Sequence, residues 1–597
     1  MRCFFVSLLL GSWCVCAAAQ MTTQQNDNSR TGQNTSENIL TPANVNPTQF
    51  GKLISKNVDG PIAAQPLYLP PMALPDGTTR SLIFVATMHD SVYAFGAVGG
   101  ALLWHKSLIP PGASSVSTAG ENCNFTEILE NGILGTPVID AAANTLFVVA
   151  KTLESGQPVF RIHALDIRTG VDILPSVVIS GSVPTTTGTA TFAAGTLHQR
   201  PGLLLVNGTV YVAFGSNGCD LHANGWVMGY NENTLEQTAI WGTDADQSFG
   251  ASIWQSGKGL AADAAGNLFF ATANGLLNTS TGDYGDSILR MSSSLQLEDY
   301  FAPYLQSTLQ EDDLDLGSGG VILLPDQPGL FPHLLVAAGK EGTVYLLNRD
   351  NLGQFNPSKD VVMQTIPGGL PGVRGGGTGA AYWNGNIYYE TSSGLRMFTL
   401  SNGQLVPVTI PPTSASNSGK GHPSVSSNGT KNGIVWLMRG TADVPILTAY
   451  TAANMTMIYD STMAANGRDT VAAMAHFFTP TIARGRVYVG TQSQLLIFGL
   501  LSKLAAQSGN NQTGQRGTRL TLPLQVLATN STGAPLQSVT INFSDNGAGG
   551  SFSSPSTTTN SAGSAVTLYT LPFKPGPVTI TASSNGVTSV QFTETAQ

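Results

Sequence analysis

One unit recurs eight times along this chain, and no other feature narrows its fold as much. Each copy opens on a small or polar pair, usually containing Gly or Pro. A short apolar strand follows, then a turn, a strand rich in Val, Tyr and Phe, a third strand and a more polar fourth. The openings are Gln65-Pro66, Thr136-Pro137, Arg200-Pro201, Lys258-Gly259, Gly319-Gly320, Thr378-Gly379, His422-Pro423 and Thr479-Pro480. From residue 66 to residue 480 seven steps cover 414 residues, about 59 per step. The second strands are the plainest: Leu82–Thr87, Thr145–Ala150, Val210–Gly215, Leu268–Ala273, Leu334–Gly339, Ile387–Thr391, Ile434–Arg439 and Val487–Thr491. Asn207-Gly208 and Asn384-Gly385 supply hairpin turns before them.

Three or four short strands per repeat, with no helical periodicity between them, describe a blade. A parallel β-helix would repeat at about half this length, and a doubly wound sheet would need amphipathic helices. The last unit, Phe477–Ala483, Val487–Gly490 and Leu495–Gly499, lacks an outer strand. Phe50–Val58 can supply it, which joins the ends of a ring and removes its open edges. Residues 50–501 are therefore expected to form an eight-bladed β-propeller, and the chain is all-β.

Composition agrees. Charged residues are 11% of the chain, against about 25% in ordinary soluble proteins. That disfavours coiled coils and long surface helices. The net charge of −9 comes with no basic block, so nucleic acid is not an expected partner. Residues 1–19 read as a signal peptide. Arg2 is followed by the apolar stretch Phe4 to Cys16, and Ala17-Ala18-Ala19 prepares cleavage before Gln20. The mature chain, with no transmembrane segment, is expected to be a monomer that is secreted, periplasmic or on the cell surface. Residues 20–49 are polar and expected to be extended. Beyond the leader only Cys123 and Cys219 remain. They either form a disulfide, which suits an oxidising compartment, or are two separate buried thiols.

Ile162-His163-Ala164-Leu165-Asp166-Ile167-Arg168-Thr169-Gly170 resembles the repeat of pyrroloquinoline-quinone (PQQ) type propellers, in which an Ala-x-Asp-x-x-Thr-Gly turn precedes a strand carrying Trp. Weaker copies are Val92-Tyr93-Ala94-Phe95 with Trp104, Val227-Met228-Gly229-Tyr230 with Trp241, and Val344-Tyr345-Leu346-Leu347. The family contains quinoprotein alcohol dehydrogenases and a non-enzymatic assembly lipoprotein, so the resemblance implies a fold rather than an activity. Residues 502–597 differ in composition. Gly533-Ala534-Pro535-Leu536, Val539-Thr540-Ile541-Asn542-Phe543 and Lys574-Pro575-Gly576-Pro577-Val578 resemble bacterial Ig-like repeats of the invasin type. An Ig-like β-sandwich is expected there.

Side chains just before the innermost strands of a ring converge on its channel. Here they are His198, Gln199 and Arg200, then Trp254, Gln255, Ser256 and Lys258, then Asp313 and Asp315, Arg374, Lys420 with His422, and His476. Such a funnel suits a small polar or anionic ligand. By the resemblance, PQQ would call on Arg200, Lys258 or Arg374 for its carboxylates and on Trp254 for stacking. Asp313 and Asp315 would serve calcium or act as base. The bland alternatives are imidazoles bonded to blade backbone, a tryptophan packed between blades, and carboxylates capping a turn. Asp283 and Asp286 read as turn residues. The adjacent cysteines of the dehydrogenases are absent, as is any haem motif. No Gly-x-Ser-x-Gly elbow marks a hydrolase. The expectation is an exported binding or scaffold protein for a small ligand or for a protein or glycan at the cell surface. A PQQ- and calcium-dependent oxidoreductase acting on alcohols or sugars is the alternative.

Overall fold

The computed structural model describes residues 19–118, 130–186, 188–218, 224–243, 250–373, 379–392, 394–409, 421–475, 477–529, 533, 535–584 and 587–597. Eight antiparallel sheets follow one another in chain order as the blades of a propeller. Blade one is Leu67–Ala73, Thr79–Ala86, Ser91–Gly96 and Leu102–Ser107, paired in sequence from the channel outward. The innermost strands of blades two to eight are Val138–Asp140, Leu204–Val206, Ala261–Ala262, Val321–Leu323, Ala381–Trp383, Ser424–Asn428 and Thr481–Ala483. Each begins within a few residues of one of the Gly/Pro openings.

The ring closes as the sequence predicts. Phe50–Asn57 is the outer strand of blade eight and pairs antiparallel with Gln494–Leu500, from Phe50 opposite Leu500 to Asn57 opposite Gln494. The Phe50 ring reaches across to blade seven, 4.9 Å from Tyr459 and 5.5 Å from Trp436. Apolar side chains gather between neighbouring blades: Leu146 and Leu165 of blade two pack with Phe84 and Trp104 of blade one, and Phe301 of blade four packs with Tyr345 of blade five. This burial is the main force holding blade to blade.

The motif residues have a visible task. Trp104 on the outer strand of blade one donates its indole N–H to the carbonyl of Ile167, in the turn of blade two, at 3.0 Å. Gly170 closes that turn with φ +73°, and a Cβ there would stand 2.5 Å from the Trp104 ring. The glycine is required both for the left-handed turn and for the close approach.

The segment after residue 19 is a run of turns and short extended pieces, and it is not a loose arm. It makes one turn round the inside of the ring. Met21 exchanges both backbone hydrogen bonds with Tyr68 of blade one, and Thr22 O accepts from Ile139 N of blade two. The Thr23 hydroxyl donates to Leu203 O at blade three. Asn28 O, Ser29 O, Thr31 O and Gly32 O accept from Ala262, Leu323, Tyr382 and Val425 of blades four to seven. Gln33–Asn34 pairs in parallel with Ser424–Asn428, and Asn34 Nδ2 donates to Ile482 O of blade eight.

Residues 502–597 contribute a further eight-stranded sheet and a separate apolar cluster that includes Val526, Ile541, Tyr569, Ile580 and Phe592.

Candidate functional site at the channel mouth

The loop leading into blade four sets the centre of the mouth. Gln255 (φ 44°), Ser256 (φ 49°) and Gly257 (φ 89°) are consecutive left-handed residues. They are fixed by Gln255, whose carboxamide oxygen accepts from Ala271 N at 2.9 Å and whose Nε2 donates to Lys258 O at 3.0 Å. Around this loop the expected ring of side chains does assemble, and it is buried. His422 Nδ1 accepts from Gly379 N–H at 2.9 Å, so the ring proton sits on Nε2, which donates to Ser256 O at 2.7 Å. A Cβ on Gly379 would lie 2.5 Å from that Nδ1, so glycine is what lets the imidazole in. Lys258 Nζ donates to Ala380 O at 3.0 Å, Arg200 Nη1 to Leu134 O at 3.1 Å, and Gln199 Nε2 to Pro201 O at 2.6 Å.

Electrostatics follow from that burial. Desolvation, helped by the Lys258 charge, pushes His422 down to about 3. Desolvation with Arg200 and Lys151 nearby does the same to His198, also to about 3. Lys258 falls to about 7 through burial and the neighbouring Arg30 guanidinium. Both imidazoles are therefore neutral at pH 7.

Nearer the outside lies a second group. Lys340 Nζ is 2.6 Å from Asp315 Oδ2 and 2.9 Å from Asp313 Oδ1. Asn274 donates its backbone N–H to Asp315 at 2.9 Å and its Nδ2 to Asp313 at 2.8 Å, leaving its buried Oδ1 without a hydrogen bond. Lys340 Nζ stands 5.8 Å over the Trp254 ring, which meets Phe477 edge-on at 5.7 Å. Burial opposes the Lys340 charge, but the Asp315 and Asp313 carboxylates outweigh it and raise the ammonium. Asp286 lies behind them, its Oδ1 accepting from Leu316 N at 2.9 Å. Burial and the Asp315 charge hold its carboxyl well above the usual range. Beside Phe477 (φ 61°) a small open depression is lined by Met438, Thr441, Ala442, Met474 and Phe478.

The expected residues therefore divide. Arg200, Gln255, Ser256, Lys258 and His422 meet inside the channel, with His198 and Gln199 beside them. Trp254, Asp313 and Asp315 stand at the rim, where the two aspartates form an ion-paired network rather than the start of a calcium loop. Arg374, Lys420, His476, Cys123 and Cys219 lie outside the described residues. Asn274 and Lys340 were not anticipated, and Asp286 is more than a turn residue. All three come from turns between second and third strands, which open on the same face as the loops into the innermost strands.

No group of three or more His, Cys, Asp or Glu side chains among the described residues could hold a metal ion. The channel residues do not fit a bound quinone: Lys258, Arg200 and His422 are committed to backbone and residues 21–37 line the ring, although His198 Nε2, Gln199 Oε1 and Ser256 Oγ are buried without a hydrogen bond among the described residues. The rim does offer a fitting set: a flat indole, one ammonium, two carboxylates and the unpaired carboxamide oxygen of Asn274.

The architecture defines a fold, the eight-bladed β-propeller. The chain is similar in fold to the quinohemoprotein alcohol dehydrogenase of Comamonas testosteroni (15% identity, TM-score 0.53, 81% of this chain against 80% of that one). It is also similar to quinohemoprotein alcohol dehydrogenase ADHIIG of Pseudomonas putida HK5 (14%, 0.55, 83% and 83%). A europium-containing methanol dehydrogenase is a third such structure (13%, 0.53, 81% and 98%). No protein-family model matches the sequence, and no curated protein matches it. At these identities the likeness is one of fold.

Proposed function

We propose that this chain is an exported binding or scaffold protein whose propeller presents a polar ligand site at the channel mouth. One observation carries this reading: the inside of the ring is lined by the chain's own residues 21–37, and Lys258, Arg200 and His422 of the channel bond to backbone. Binding chemistry is left to the rim, where Asp313 is 76% exposed and Lys340 13%. Two carboxylates against one ammonium favour a ligand that donates hydrogen bonds or carries positive charge over an anion. Residues 502–597 are read as an Ig-like spacer or adhesive arm. Among the described residues no helix is long and apolar enough to cross a membrane.

The rim also favours a second reading, a PQQ- and calcium-dependent oxidoreductase. Trp254 would lie against the ring system, Lys340 would face its anionic oxygens, and Asp313, Asp315 and Asn274 would offer oxygens to calcium. The quinone would supply the two-electron acceptor for an alcohol. Incubation of the purified protein with PQQ and calcium, followed by absorbance and dye-linked turnover on alcohols and sugars, separates the two. The binding reading expects no retained quinone and no turnover. Quinone-dependent turnover lost in Asp315→Asn and Lys340→Ala would replace it with the oxidoreductase.

A further inference from the structure

The N-terminal segment resembles a bound peptide more than a linker. Most of its bonds to the blades run in blade order from one to eight, with Gln25 and Asn26 reaching back to Gln65 before blade one and Gln25 also across to Pro423 before blade seven; they come mostly from its main chain and from amide and hydroxyl side chains. Four left-handed residues, Gln25, Asn26, Arg30 and Gly32, bend it to follow the inner wall. In the middle stands Arg30, 0% exposed. Its Nε donates to Leu260 O of the loop into blade four at 2.7 Å, and Nη2 to Leu203 O before blade three at 3.2 Å. Nη1 donates to Thr23 Oγ1 and Gln24 O, both at 2.7 Å. No neutral side chain supplies so many donors in one plane. The receiving wall is shaped for it: a Cβ on Gly259 would stand 2.6 Å from Arg30 Cζ. At the far end Glu37 fastens the segment, its Oε2 accepting from Gly485 N of blade eight at 2.9 Å.

We propose that the inner wall of the ring is a peptide-binding site occupied in cis by residues 20–37, which bind as a polar ligand anchored by the Arg30 guanidinium and lock the eight blades together. The class of ligand recognised is a peptide with small polar side chains and one arginine three residues after an aspartate. Asp27, held by Thr31 N–H at 3.0 Å, shapes the turn that presents Arg30. The proposal shares with the proposed function the observation that residues 21–37 line the ring, but none of the contacts above is made by the rim residues Trp254, Asp313, Asp315 or Lys340.

The test uses the full chain with a protease site inserted after Ala43, an exposed position between this segment and the closing strand. After cutting, the fragment ending at residue 43 should co-elute with the ring in gel filtration. Once the fragment is stripped in mild denaturant and the denaturant removed, a labelled peptide of residues 20–37 should bind one to one. The same peptide with Arg30→Met should bind at least about 100-fold more weakly, the loss expected when several charge-assisted bonds go together. A peptide with Ser36→Ala, at an exposed position, should match the native one. Immediate loss of the fragment from a ring that keeps its circular dichroism would overturn the proposal. Equal binding of the Arg30→Met peptide would overturn it as well. A ring that unfolds when stripped and refolds only with the native peptide would support the locking role.

Discussion

Two lysines at one end of the ring show how differently its interior and its rim are built. Lys258 is fully buried, faces no carboxylate at bonding distance among the described residues, and donates a hydrogen bond to Ala380 O. Burial lowers it to about 7. Lys340, on the next blade, is also largely covered but grips Asp315 and Asp313, and its ammonium is raised. Inside, polar groups close off backbone and hold blades in place. At the rim they form a charged network whose outer members still meet water. A channel rich in ionisable residues is therefore not in itself a reactive one, because what each residue faces decides its chemistry.

The contrast can be broken at its strongest point first. Replacing Gly259 with Val forces a side chain onto Arg30 and should cost about 3 kcal/mol or more in unfolding free energy, through overpacking and lost carbonyl partners. A change below about 1 kcal/mol in a denaturant titration would mean that the interior is looser than described. Acid comes next. In the unfolded chain His198 and His422 take up protons below pH about 6.5, while the folded chain resists until about 3. Their contribution to stability is complete above 6.5 and is lost as pH falls toward 3. Glu594, raised to about 7 by burial, acts in the opposite sense between 4.5 and 7, so the comparison must be with variants. His422→Gln should remove about one proton from the uptake on unfolding between pH 6.5 and 3. An unchanged slope would count against a neutral interior imidazole.

Smaller effects sharpen the difference between the lysines. Lys340→Met leaves Asp315 without its cation and should cost about 1–3 kcal/mol. Lys258→Met should be neutral or stabilising at pH 7 and below, since it removes a buried charge that has no salt bridge among the described residues. The reverse ranking in thermal unfolding would undo the distinction drawn here. Least of all, Asn274→Ala should shift stability by no more than about 0.5 kcal/mol, because its bond to Asp313 is exposed and its Oδ1 is unpaired. If the rim binds a polar ligand, that variant should weaken binding far more than it changes folding.

Much of this was legible in the residues. The Val, Tyr and Phe runs located the second strands to within a few positions, Thr79–Ala86 against the expected Leu82–Thr87 for one. The missing strand of the last repeat pointed to Phe50, because an unpaired edge needs covering. The convergence of Arg200, Lys258 and His422 followed from the same geometry. Two things were hidden. Asn274 and Lys340 sit in turns whose sequences look like ordinary punctuation, and only the topology brings those turns to the mouth. Residues 20–37 carry no period of two or 3.6, since they pair with eight strands in turn rather than with one. Arg30, the only basic residue in a stretch of Asn, Thr, Ser and Gln, was the available hint.

The closing strand also sets a timetable. Phe50–Asn57 finds its partner 437 to 450 positions later, at Gln494–Leu500. A nascent chain must hold this segment in waiting while seven blades emerge, and the entropy of so large a loop is recovered only at the last step. Slow completion, with an unprotected edge on show until the final blade arrives, is the kinetic price of a circle.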